Sequence, residues 1–173
     1  FSKGSVGNEF DAVRRTEDGV DVLREAPHRD VLLVAVGPMA ALAMRVADRL
    51  AAQGIGATVI DPRWVIPVPG SVVELARAHR LVVSIEDGIR VGGVGTRIRQ
   101  DLRAAGVDTA VDELGLPDEF LEHASRDQIL EDAGLTDQRI ARDIVAQVLG
   151  TRIPVARPLP DEVRREYDVE HGR

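Results

Sequence analysis

Two short passages carry residues whose types and spacing could do chemistry. Glu86 and Asp87 close a β-rich run, and Gly92, Gly93 and Gly95 follow just before a helical pattern begins. Carboxylates at the carboxyl ends of strands line the crevice where open α/β sheets bind ligands. A glycine-rich turn leading into a helix can cradle a phosphate, because backbone amides and the helix dipole point at the anion. The dinucleotide fingerprint is incomplete, however. Counted from Gly93, its third glycine would fall on Ile98, and no ribose-binding acid stands roughly 20 residues later. A tight-turn and packing role is therefore preferred for the three glycines. For Glu86 and Asp87 the preferred roles are helix capping or an ion pair to Arg63 or Arg90.

Residue types exclude other chemistries. With no cysteine there is no disulfide framework, thiolate metal site or cysteine nucleophile. The histidines at 28, 79, 123 and 171 show no i,i+4 pairing and no clustered carboxylates, so no metal ligand is assigned. His123, within Glu122-His123-Ala124-Ser125, is read as a hydrogen-bonding group near a helix start. Neither GxSxG nor GxxxxGK[ST] occurs, and no catalytic residue is assigned. A formal charge of -7 and a pI near 5.1, without a basic stripe, argue against nucleic acid as a partner. The longest apolar run, 31–36, is far shorter than the roughly 20 residues that span a bilayer, so no membrane role is expected. A cytoplasmic address fits the lack of cysteine. The opening Phe1-Ser2-Lys3-Gly4 reads as the middle of a longer chain.

The elements that must position these residues are legible as a repeat. Runs rich in β-formers begin near Val31, Ala57, Leu81 and Val107, each separated by a helical pattern. Spacing of about 25 residues suits strand, loop and crossover helix, hence parallel pairing. A short mixed strand at 20–25 precedes them, plausible as an edge. The first helix is expected after Gly37-Pro38, with Met39, Ala43, Val46 and Leu50 inward and Gly54 as its stop. Ser71 with Glu74 reads as a capping box for the second helix. The third should run 94–105 with Ile98 and Leu102 facing the sheet, and a strand near 109–112 gives way to an irregular passage at 114–120. Ser125 and Thr136 cap two further helices, the second using Ile140, Ile144, Val148 and Leu149. Residues 1–19 read as a linker, 20–150 as one domain, and the proline- and charge-rich 151–173 as an extended or disordered tail. The loop 61–69 (DPRWVIPVP), with three prolines and the only Trp, should hold Trp64 fixed, in the core or, by preference, against a neighbouring domain.

The ordered set 30–39 (DVLLVAVGPM), 61–69, 86–95 (EDGIRVGGVG) and 115–125 (GLPDEFLEHAS) resembles the C-terminal part of the 1-deoxy-D-xylulose-5-phosphate synthase family. More distantly it resembles the C-terminal domains of transketolases and of 2-oxo-acid dehydrogenase β subunits. The resemblance implies a three-layer α/β/α fold around a five-stranded mixed sheet of order 1-3-2-4-5, with strand 1 antiparallel. It implies a homodimeric transferase that condenses pyruvate with glyceraldehyde 3-phosphate. Thiamine diphosphate and Mg2+ would be held by preceding domains of the same enzyme, so no cofactor-binding residue carries over. A substrate-phosphate arginine would lie just before Phe1, leaving Lys3 in its vicinity. Arg63 is expected to approach Glu86 or Asp87 and lock the crevice. Two further readings stay open: a regulatory module binding a small anion at the crevice, and a partner-docking domain like that of the dehydrogenase β subunits.

Overall fold

The computed structural model describes residues 10–119 and 124–150. Its sheet is built on β3 (Val31–Ala35), five consecutive buried residues, with β4 (Ala57–Pro62) and β5 (Leu81–Ile89) parallel on either side. β2 (Val20–Arg24) lies antiparallel outside β4, and β6 (Ala110–Leu116) parallel outside β5. The order β2-β4-β3-β5-β6 is the one expected for five strands. A sixth strand, the two-residue β1 (Arg14–Arg15), extends the edge beyond β2.

Strand periodicity sorts the aliphatic side chains into two cores. Leu33 and Val83 point, with Val31, Ala35, Val59 and Ile85, to a layer formed by α1 (Ala40–Ala51) and α5 (Asp137–Val148). Leu32, Val34, Ile60 and Val82 point the other way, to α2 (Gly70–Ala78) and α3 (Val94–Ala104). Both faces of the central strands are therefore covered, which is why those strands read as unbroken apolar runs. Among the described residues no helix is long and apolar enough to cross a membrane.

Four local expectations are corrected. Part of the 1–19 segment is a hairpin arm: Val13 N–H donates to the Val22 carbonyl at 2.8 Å, and Gly19 turns the chain at φ +90°. Ser71 does not cap α2, whose N-cap is Pro69. Asp18, reaching from the hairpin turn, accepts from the Ser71 backbone N–H at 2.8 Å and from its hydroxyl at 2.7 Å. These bonds and that from Thr16 hold the Asp18 carboxyl down to about 2. The strand expected at 109–112 runs on to Leu116, because β5 also continues and pairs with it past an irregularity between Ile85 and Ile89. Gly115 permits this close crossing, since a Cβ there would lie 2.8 Å from the Gly88 carbonyl oxygen. Leu149 falls at the end of α5 and is exposed rather than inward. Ser125 caps α4 (Arg126–Asp132) through the Gln128 N–H, and Thr136 caps α5 through the Arg139 N–H.

His79, at the C-cap of α2, is buried. Its Nδ1 lies 2.7 Å from the Leu75 carbonyl, so Nδ1–H donates, and the buried Nε2 has no partner among the described residues. Burial pushes its pKa below the usual 6.5. The Leu75 carbonyl and Asp30 oppose that shift, and Arg29 adds to it. The unfolded chain therefore takes up this proton first. The stability due to neutral His79 is full above about pH 6.5 and is lost as pH falls from there through the lowered folded value. A His79→Gln variant should show a shallower fall in melting temperature than the parent between about pH 7 and 5. Parallel slopes in a thermal melt series would contradict this.

Candidate functional site

The carboxyl ends of β3, β4 and β5 open on a broad cleft of about 1120 Å³. Its walls include the Gly37 turn, Asp61, Arg63, Glu86, Asp87 and Arg126. Position alone makes it the candidate site, since winding reverses here and helices leave on opposite sides of the sheet.

Glu86 is 6% exposed, and its carboxylate accepts from the Val94 N–H at 3.1 Å and the Gly95 N–H at 3.2 Å. It occupies the N-terminus of α3, where an external anion would otherwise sit. The neighbouring glycines make room for it. A Cβ on Gly93 would lie 2.6 Å from Glu86 Oε2 and from the Ile89 carbonyl oxygen. A Cβ on Gly95 would run into Ser84 Oγ and stand 2.8 Å from Glu113 Cγ. Gly92 turns the chain at φ +75°. The loop thus cradles a carboxylate of its own strand, and the small-anion module loses the feature that suggested it.

Asp87 pairs with Arg126 at 2.8 Å, tying the start of α4 to the cleft. Arg63 lines the same cleft but forms no ion pair with Glu86 or Asp87, so the expected lock is not made. The reason is competition: backbone amides hold Glu86, and Arg126 holds Asp87. Arg90 offers only its backbone there, with its carbonyl accepting weakly from Thr96 Oγ1 at 3.4 Å. Asp61 faces Asp21 across the β2–β4 pair. Burial and the Asp21 charge push its carboxyl above the usual range, with Arg63 opposing. Arg15 in turn grips Asp21. Lys3, His123 and the tail lie outside the described residues.

Sequence reasoning missed Arg126 and Asp18. Each acts on a partner 39 or 53 positions away, and no local pattern announces such pairs. It also missed Glu113, which accepts from Thr96 Oγ1 at 2.9 Å and pairs with Arg99 at 3.0 Å beneath α3. Among the described residues no group of three or more His, Asp or Glu is placed to hold a metal ion. Among the described residues, Glu86, Asp87 and Arg126 of the cleft are engaged in holding the fold, while Arg63 is not.

Comparison with known proteins places the chain in a family. Residues 19–140 match the family model described as transketolase, C-terminal domain. The chain is 72% identical over its full length to 27% of the 1-deoxy-D-xylulose-5-phosphate synthase of Leifsonia xyli. It is 71% identical over 95% of its length to 25% of the same enzyme of Clavibacter sepedonicus. The chain thus spans about a quarter of the curated relatives it matches. Among solved structures, a split-gene transketolase described as an inactive β4 tetramer is similar over 81% of this chain and 45% of that one. The TM-score is 0.68 and the identity 30%.

Proposed function

Because the chain belongs to the transketolase C-terminal domain family, we propose that it serves as the C-terminal domain of a 1-deoxy-D-xylulose-5-phosphate synthase. The observation that carries this reading is the 72% identity sustained over every residue of the chain against a quarter of that synthase. The whole enzyme joins two carbons of pyruvate to glyceraldehyde 3-phosphate, forming the five-carbon product and releasing carbon dioxide. Thiamine diphosphate, bound with Mg2+, supplies the carbanion chemistry. In this reading the cofactor and its Mg2+ are held by the domains that precede this one in the whole enzyme. No step is therefore assigned to this chain. Its part is structural, as a stiff two-core domain that supports the catalytic domains and the dimer. A cytoplasmic homodimer belongs to the same reading.

The test is a chimera in which these 173 residues replace the matching quarter of the Leifsonia xyli enzyme. The expected result is product formation from pyruvate and glyceraldehyde 3-phosphate at a rate within a few-fold of that parent. A folded chimera that binds thiamine diphosphate but forms no product would count against the assignment.

A further inference from the structure

The loop between β4 and α2 carries two large apolar side chains in the open: Trp64 and Ile66 are each 72% exposed. They follow directly on Arg63, which lines the cleft and forms no ion pair among the described residues. Prolines at 62, 67 and 69 restrict the loop, so presenting these side chains costs little further ordering. Trp, Arg and a large aliphatic side by side on a stiff loop are the composition of a binding hot spot. A free surface gains nothing from a tryptophan left in water.

The path of the chain says what covers it. Phe10 and Asp11 lie on the wall of this same cleft, and Phe10 packs against the α1–α5 core. The described chain thus begins at the cleft that Arg63 also lines. Relatives carry about three-quarters of their length outside the matched region.

We infer that Arg63, Trp64 and Ile66 form the docking surface for the folded domain immediately upstream in the same polypeptide. This rests on the proposed function, which supplies that domain. The partner face is an apolar pocket that takes the indole, with a carboxylate at its rim for Arg63.

Trp64 is the only tryptophan in the chain, so 5-fluorotryptophan labelling gives one fluorine resonance. The 173-residue chain is titrated with the complementary upstream part of the Leifsonia xyli enzyme while sedimentation follows complex formation. The expected result is a shifted resonance that loses its solvent-isotope effect on binding, with affinity at least about 30-fold weaker for Trp64→Ala. Arg63→Gln should weaken it about tenfold, and Trp64→Ala should melt with the parent because that side chain is largely exposed. A complex that turns over substrate while the resonance stays put would overturn the docking surface and leave the proposed function standing. No complex and no turnover would remove both. A resonance already buried at high concentration of the chain alone would assign the surface to a second copy and overturn the inference.

Discussion

A Gly95→Val variant is expected to lose about 3 kcal/mol of stability, the upper end of the usual cost of overpacking, and to melt roughly 10 °C below the parent. Gly95 sits in the first turn of α3, flush against β5 and β6. Its missing side chain is the space filled by Ser84 Oγ and the Glu113 stem. Ser84 stands on a central strand and is fully buried, so the sheet cannot yield. The helix must lift instead, and with it Ile98 and Leu102, which seal that core. A double-mutant cycle separates this from a general intolerance of side chains in a helical turn. Gly95→Ala should cost markedly less in a Ser84→Ala background than alone, because one of the two colliding groups is gone. Equal cost in both backgrounds would show that the close approach is not the cause.

Glu86→Ala should be nearly as damaging, at about 2–3 kcal/mol. It strips the acceptor from two backbone amides at a buried helix start and leaves behind a hole lined by Gly93. Glu86→Gln keeps the shape and one acceptor and should fall between. Chemical denaturation of the three proteins checks the order. Because the carboxylate caps a helix rather than touching substrate, kcat of the chimeric synthase should survive both changes below their melting transitions. A loss of kcat by several orders of magnitude in a folded Glu86→Gln enzyme would instead make this carboxylate part of the chemistry.

The sheet was readable because its strands are buried on both faces. Val31 to Ala35 admit no polar residue, and helix stops at Gly54 and Gly106 lie where left-handed φ is needed, at +74° and +67°. Capping side chains within four residues of their targets, Ser125 and Thr136, were readable for the same reason: the bond is local. Ser71 misled because its pattern satisfied the local rule while a more distant carboxylate, Asp18, took the position. The site failed in the same way. Glu86, Asp87 and Arg63 do line one cleft, yet their partners are fixed by which chain segments meet there. Nothing in the sequence says that Arg126 arrives first at Asp87. The function was carried by colinear motifs rather than by any reactive constellation, as expected of a domain whose polar groups are spent on one another.

In the proposed function this chain holds no active site of its own. Purified alone and supplied with thiamine diphosphate, Mg2+, pyruvate and glyceraldehyde 3-phosphate, it should give no heat of cofactor binding in a calorimetric titration and no carbon dioxide. Micromolar cofactor binding, or pyruvate turnover above the protein-free rate, would contradict the account.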